Sequence, residues 1–258
     1  MENSRLKNSA LNFASGFLGR ALTILLNFAV RTIFIYCLNE AYLSVNGLYS
    51  NILTVLSLAE LGFGSAMVYR MYAPVAVKDY QKAAALLQFY KKIYIIIGVV
   101  IFLLGLCVIP FMDYIIKDKP DISGLTLYYI LFLVNTSISY WFSSYKASVL
   151  YADQKEYIKT NVQNTMAILQ SGLQIVLLLL FRKYLLYLLI QLAGNIFLNL
   201  YVAHLVDKRY PEIQTYQGDS LSAEERVQIR KDTEALVLSR FGHVALNGTD
   251  NIIISAVV

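Results

Sequence analysis

The sequence has few charged residues and lacks the residue clusters that catalysis or metal binding requires. Charged side chains make up 15% of its 258 residues, against about one quarter in an average soluble domain. The 2 cysteines, Cys37 and Cys107, are too few for a disulfide framework. The 2 histidines, His204 and His243, are isolated and lack metal-ligand spacing. No phosphate-binding loop is present, so we expect neither an enzyme nor a bound cofactor or metal, and a soluble or secreted domain is excluded.

Long apolar stretches dominate the sequence instead. Hydrophobic residues make up 57% of the chain and the mean hydropathy is +0.54. A helix that crosses a bilayer needs about 20 apolar residues, and six stretches meet that requirement. They cover about 11–37, 42–68, 93–116, 122–146, 160–181 and 184–206. The sequence therefore predicts an all-α polytopic membrane protein with a six-helix lobe over 1–206, a linker over 207–236 and the start of a seventh helix over 237–258.

Lysine and arginine are distributed unevenly between the two sides of these spans. With the N-terminus in the cytoplasm, sixteen of the 22 basic residues lie on the cytoplasmic side and four lie outside. Positive residues favour the cytoplasmic side, so we expect a cytoplasmic N-terminus. The net charge of +5 is then a consequence of topology and requires no nucleic-acid partner. Tyrosines near the span ends, including Tyr36, Tyr90 and Tyr184, are expected to form an interfacial belt.

The first span carries two charges at membrane depth. Arg20 and Arg31 are 11 residues apart, which places them on nearly the same face of a helix, together with Asn27. A charge inside the bilayer is costly and tends to face protein or water. Arg31 has the alternative of reaching the headgroups. Glu60 in the second span is expected to be an ion-pair partner of Arg20, a group that couples transport to a cation, or both.

Uncharged polar residues follow helical spacing in the later spans. Gln163, Gln170 and Gln174 share a face of the fifth span, and Gln191, Asn195 and Asn199 step by four along the sixth. Hydrogen bonds between helices and the lining of a cavity are both open for them. In the linker, Ser222 followed by Glu225 matches a capping box at the start of an amphipathic helix, which would lie at the inner leaflet or dock a partner.

The seventh span repeats part of the first. Arg240, Asn247 and Asn251 have the spacing of Arg20, Asn27 and Arg31, displaced by 220 residues. Transporters built from repeats place a binding site between them. A helix that resembles the first after six helices is therefore what a duplicated transporter would show.

Three segments resemble one transporter family. Residues 58–66 (LAELGFGSA) and 69–74 (YRMYAP) are similar to the end of the second helix in bacterial oligosaccharide flippases, and 248–255 (GTDNIIIS) is similar to the start of their seventh helix. These are the O-antigen and capsule-repeat translocases of the multidrug/oligosaccharidyl-lipid/polysaccharide exporter superfamily. The resemblance implies two six-helix lobes, of which this chain would be the first lobe, the linker and part of the seventh helix.

The resemblance also implies a function in surface polysaccharide biosynthesis. Family members move an oligosaccharide on undecaprenyl diphosphate across the bacterial cytoplasmic membrane, and Arg20, Asn27, Arg31 and Arg240 would hold the diphosphate. The expected partners are this lipid-linked substrate, membrane lipids, and glycosyltransferases or a polymerase of the same pathway. The alternatives are a cation-coupled drug exporter of the same superfamily, a membrane glycosyl polymerase or ligase, and a scaffold that recruits glycosyltransferases.

Overall fold

The computed structural model describes residues 2–57, 63–112, 122–142, 144–216, 221–229 and 231, and this part of the chain is helical with no β-strand. The expectation of an all-α chain is confirmed for these residues. The α-helices are α1 (Glu2–Leu38), α2 (Glu40–Leu56), α3 (Phe63–Ala76), α4 (Tyr80–Val108), α5 (Leu125–Trp141), α6 (Ala147–Ala152), α7 (Glu156–Phe181), α8 (Tyr184–Arg209) and α9 (Pro211–Thr215). A further short helix covers 223–229.

Several of these helices are long and apolar enough to cross a membrane, which indicates a membrane-embedded protein. Among the described residues, 4 helices qualify, over Arg5–Leu38, Tyr80–Phe111, Glu156–Phe181 and Tyr184–Arg209. A fifth candidate span joins Leu125–Trp141 to Ser144–Ala152 through a bend of 44°. The stretch predicted as one span over 42–68 corresponds to α2 and α3, on either side of residues 58–62.

Side-chain contacts bring the helix ends together in two groups. Asn12 of α1 donates to the carbonyl of Gln154 and accepts from the amide of Tyr157, so α1 and α7 begin side by side. At the other end of α1, Phe34 contacts the rings of Tyr184 and Tyr187 at the start of α8. We call the end where α1, α4 and α7 begin and α8 ends the basic end. On these four helices, the basic residues that the sequence assigns to the cytoplasmic side lie at this end.

Tyrosines form much of the core. Tyr184 is 2% exposed and its hydroxyl donates to Asn46, while Tyr49 and Tyr129 are fully buried and donate to backbone carbonyls. Tyr90 is also fully buried, and of the three residues named for an interfacial belt only Tyr36 is exposed. The belt prediction is therefore wrong for Tyr90 and Tyr184. Buried tyrosine hydroxyls usually find a hydrogen-bond partner, as those of Tyr49, Tyr129 and Tyr184 do.

The helices α4 and α5 approach each other closely at two glycines of α4. A Cβ atom at Gly98 would lie 2.6 Å from Nε1 of Trp141 and 2.9 Å from Cβ of Tyr140. One at Gly105 would lie 2.3 Å from Cδ1 of Leu133. Small residues permit this kind of close packing between membrane helices.

Both cysteines, Cys37 and Cys107, are free.

Residues 221–229, called here the docked segment, fold back onto α3 and α4. Leu221 and Ile229 are 5% and 2% exposed, and Lys82 forms an ion pair with Glu225. The predicted capping box is confirmed, because Ser222 N donates to Glu225 at 3.0 Å and Glu225 N donates to Ser222 Oγ at 3.2 Å. The apolar contacts of this segment are therefore made with the helical bundle.

We expect acid to release the docked segment. The hydrogen bond from Lys82, with that from Ser222 N, lowers the pKa of Glu225 below its ordinary value of 4.5. A lowered pKa contributes stability above the ordinary value, and this contribution is lost as the pH falls through the lowered pKa. A nitroxide at Val227, which is 54% exposed, should become more mobile on acidification in a background with Cys37 and Cys107 replaced by alanine.

The control for this prediction is a neighbouring carboxylate. Glu225→Gln should raise the mobility of the label at neutral pH and remove its pH dependence, while Glu224→Gln, at an exposed position, should keep the wild-type pH profile. A label in Glu225→Gln that is as immobile as in the parent at neutral pH would show that the Lys82 contact does not hold the segment.

Candidate functional site

A polar stripe runs along the outer side of α1. Arg20, Asn27 and Arg31 are all exposed, and in the described part of the chain none of them has a hydrogen-bond or ion-pair partner. Arg20 lies close to the middle of α1, about 22 Å from Arg5 at 1.5 Å per residue. A cationic group at the centre of a membrane helix costs about 2.5–3.5 kcal/mol on insertion scales, so Arg20 requires water or an anion beside it.

Two of the predicted site residues cannot be placed. Glu60 and Arg240 lie outside the described residues. The pairing of Glu60 with Arg20, its alternative role in cation coupling, and the contribution of Arg240 to the same site all stay predictions.

A cavity of about 580 Å³ opens next to the stripe, between α1, α5, α7 and α8. Thr23 and Asn27 of α1 line it, and both lie between Arg20 and Arg31 along the helix. Eight amide side chains line the cavity, and among the described residues that line it only Tyr187 is ionisable. We call it the amide cavity; its amides are Asn27, Asn135, Gln163, Asn164, Gln170, Gln174, Gln191 and Asn195.

The two roles left open for the polar stripes of the later spans both occur. Gln163, Gln170 and Gln174 all line the amide cavity, and Gln174 also donates to the carbonyl of Tyr187 at 3.3 Å. Asn195 donates to the side-chain and backbone oxygens of Asn135 and to Ser139 Oγ, at 3.1, 2.8 and 3.0 Å. These bonds join α5 to α8.

A second cavity lies nearer the basic end. It measures about 900 Å³ between α1, α3, the α5–α6 region and the start of α7. Five tyrosines line it, so we call it the tyrosine cavity; they are Tyr69, Tyr72, Tyr94, Tyr140 and Tyr151. Lys159 and Glu156 also line it, and Lys159 donates to the hydroxyl of Tyr151 at 2.7 Å. Sequence reasoning missed this cavity, although the spacing of Tyr69 and Tyr72 places them on one side of a helix.

A short chain of hydrogen bonds lies between the two cavities. Ser144 Oγ donates to Asn199 Oδ1 at 2.8 Å, and Asn199 donates to Asn195 Oδ1 at 2.8 Å. Ser139 and Ser144 line the tyrosine cavity, whereas Asn195 lines the amide cavity. The chain of Ser144, Asn199, Asn195 and Ser139, called the asparagine ladder, thus separates two polar spaces.

Ion pairs and hydrogen bonds fasten the helix ends around the tyrosine cavity. Lys146, which is 19% exposed in its side chain, contacts both carboxylate oxygens of Asp207 at 2.5 and 2.6 Å. Asp153 accepts from the hydroxyl of Tyr210 at 2.5 Å and from Lys155. Burial, followed by this hydrogen bond to Asp153, raises the pKa of Tyr210, so Tyr210 stays a neutral donor under physiological conditions.

This geometry can serve two kinds of contact within one membrane bundle. The arginines of α1 offer cationic donors, and the amide cavity beside them offers uncharged donors and acceptors. No group of three or more histidine, cysteine, aspartate or glutamate side chains that could hold a metal occurs in the described ranges. Comparisons with protein-family models, with curated proteins and with solved structures found no match for this chain.

Proposed function

We propose that this protein moves a lipid-linked oligosaccharide diphosphate across the bacterial cytoplasmic membrane. The observation that carries the proposal is the position of Arg20 and Arg31, exposed on a membrane-length helix and next to residues that line a polar cavity. Guanidinium groups bind phosphate oxygens in two-pronged geometry. A lipid diphosphate at the bundle surface would neutralise these charges while its hydrocarbon tail stays in the bilayer.

The spacing of the two arginines fits a passage rather than a single binding point. Eleven residues along a helix correspond to about 16 Å, which is roughly half of the hydrocarbon thickness of about 30 Å. Asn27 lies between them and faces the amide cavity. In the proposed mechanism the diphosphate is bound first by one arginine and then by the other as it crosses.

The proposed architecture is the two-lobed one of the oligosaccharide flippases that the sequence resembles. The described helices would form most of a six-helix lobe whose basic end faces the cytoplasm, since basic residues favour that side. A second lobe would begin with the seventh helix and bring Arg240 to the same passage. Rocking of the two lobes would expose the arginines to each side in turn. Glycosyltransferases or a polymerase of the same pathway would be the functional partners.

The described part of the site favours this substrate over a cationic drug. A cation exporter is expected to place carboxylates in its cavity, whereas the amide cavity has none and the exposed charges beside it are positive. The connections between α1 and α2 and between α7 and α8 are one or two residues long. That leaves no room there for the sizeable loop on which a polymerase or ligase would carry its catalytic groups.

The test is export in cells that lack their own flippase and express this protein at full length. The double change Arg20→Ala with Arg31→Ala should reduce surface polysaccharide by at least about tenfold, because each lost charged hydrogen bond is worth about 1.5–3 kcal/mol. Lysine at both positions should restore export partly, since it keeps the charge but loses the two-pronged geometry.

Arg5→Ala is the matched control for this experiment. It removes an exposed arginine from the same helix, about 22 Å from Arg20, and should leave export unchanged. Membrane insertion is checked for every variant. Wild-type export in the double alanine variant would overturn the proposed role of the arginines.

A further inference from the structure

The described lining of the amide cavity holds no ionised group but is rich in hydrogen-bonding groups. In the described part of the chain, Gln163, Gln170 and Gln191 line the cavity and have no hydrogen-bond partner. A side-chain amide offers two donors and one acceptor oxygen. Gln163 is exposed and Gln170 and Gln191 are half-buried, so their amides are open to a ligand. An occupant that bonds to these amides would therefore be favoured at this depth in a bundle.

The residues that line the cavity favour an uncharged occupant. Among the described residues that line this space there is no lysine, arginine, histidine, aspartate or glutamate, so an anion or a cation would meet no opposite charge from them. Burying an unpaired charge costs far more than burying a neutral polar group. An apolar occupant is disfavoured for the opposite reason, since it would leave the amides unbonded.

A polyhydroxyl compound matches this lining. Each hydroxyl both donates and accepts, so neighbouring hydroxyls on a ring pair with neighbouring amides in either orientation. The volume of about 580 Å³ is within the roughly 300–1,000 Å³ typical of small-molecule sites. The shape of the cavity wall also depends on Gly194, because a Cβ atom there would lie 2.4 Å from Oε1 of Gln170. The glycine leaves room for this amide at the cavity wall.

We infer that the amide cavity is a binding site for uncharged sugar residues. This inference rests on the proposed function, in which the transported lipid carries a glycan, and it divides recognition between two neighbouring places. The arginine stripe binds the diphosphate, and the amide cavity selects the sugar by hydrogen bonds alone. Selectivity for uncharged sugars over acidic ones follows, because the described lining offers a carboxylate no counter-charge while the neighbouring arginines are bound to the diphosphate.

The experiment is a titration of the full-length protein in detergent, with binding measured by calorimetry and by saturation-transfer NMR. The probes are a panel of neutral mono- and disaccharides, the corresponding uronic acids, inorganic pyrophosphate and Na⁺. At least one neutral sugar should bind, and its uronic acid should bind more weakly. Gln170→Leu with Gln191→Leu should lower the affinity for the neutral sugar by about tenfold, the equivalent of about 1.4 kcal/mol, because two amide hydrogen bonds are lost.

Two further variants separate sugar recognition from a change in folding. Asn161→Leu removes an exposed amide from the same helix outside the cavity and should leave sugar binding unchanged. Gly194→Ala adds a single methyl group against Gln170 and should weaken sugar binding without removing an amide. Unchanged sugar affinity in both the double leucine variant and Gly194→Ala would overturn the inference.

The remaining outcomes distinguish this inference from the proposed function. Failure of every neutral sugar to bind the wild-type protein would leave the cavity a water-filled space, and binding of Na⁺ in their place would make it a cation site; either result overturns the inference. Pyrophosphate binding that is lost in Arg20→Ala with Arg31→Ala would then still support the proposed function. Sugar binding that persists while the arginine variants export normally would support the inference and overturn the role of the arginines.

Discussion

Gly98→Ala should destabilise the protein by about 1–3 kcal/mol, the usual cost of overpacking a well-packed interior. The added methyl group would lie 2.6 Å from the indole nitrogen of Trp141 and 2.9 Å from Cβ of Tyr140. A Cβ atom cannot move away without its backbone, so α4 and α5 must separate. The gain in helix propensity from alanine, about 1 kcal/mol, offsets only part of the loss. Thermal unfolding in detergent should show a lower Tm, by roughly 2–4 °C per kcal/mol.

Gly172→Ala is the matched control for Gly98→Ala. Gly172 lies inside α7, and a Cβ atom there would have nothing within 4 Å. The same chemical change should therefore raise stability by up to about 1 kcal/mol through helix propensity alone. The emission of Trp141, the single tryptophan of the chain, should shift in Gly98→Ala and stay constant in Gly172→Ala. Equal Tm values for the two variants would contradict the close approach of α4 and α5.

Asp207→Ala should also destabilise the protein, by about 1–3 kcal/mol. Asp207 contacts Lys146 at 2.5 Å, and the two side chains are 31% and 19% exposed. Removal of one member of a fully buried pair costs about 3–5 kcal/mol, because the other charge is left without a partner. The partial exposure of both residues reduces that cost, since water reaches Lys146. The loss should appear as a lower Tm that depends only weakly on salt, because partly buried pairs are screened less than surface pairs.

The reciprocal exchange tests whether the charge pair itself is responsible. Lys146→Asp combined with Asp207→Lys should recover part of the stability that each single change removes, as a double-mutant cycle measures. Glu212→Ala removes an exposed carboxylate nearby in sequence and should change stability by less than about 0.5 kcal/mol. A double exchange no more stable than the sum of its single changes would show that the contact carries no coupling energy.

The class of the fold could be predicted because one physical requirement controls it. A helix in hydrocarbon needs a long run without charges, and the uncharged stretches 93–112, 160–181 and 184–206 lie within α4, α7 and α8, apart from the last residues of the first. The capping box at Ser222 and Glu225 was equally accessible, since its two hydrogen bonds are local.

The neighbours of each side chain could be predicted only in part. Helical spacing places Gln163, Gln170 and Gln174 on one face of α7, and that face is the one that lines the amide cavity. Spacing within one helix does not state which other helix it meets, so the cavity and the asparagine ladder could not be derived. Tyrosine gave the clearest error. A tyrosine near the end of a span has the same sequence context whether it faces the headgroups or is buried. Tyr184 is buried and its ring packs against Phe34.

The height of Arg20 relative to α7 is fixed by the register between α1 and α7. With 37 residues, α1 is about 55 Å long, which exceeds a hydrocarbon thickness of about 30 Å, so length alone would allow the helix to slide along the bilayer normal. The bonds of Asn12 to Gln154 and Tyr157, and of Asn164 to Ser15, prevent that sliding. Arg20 therefore cannot change its height relative to the bundle by movement of α1 alone, so in the proposed mechanism the diphosphate moves to the arginine.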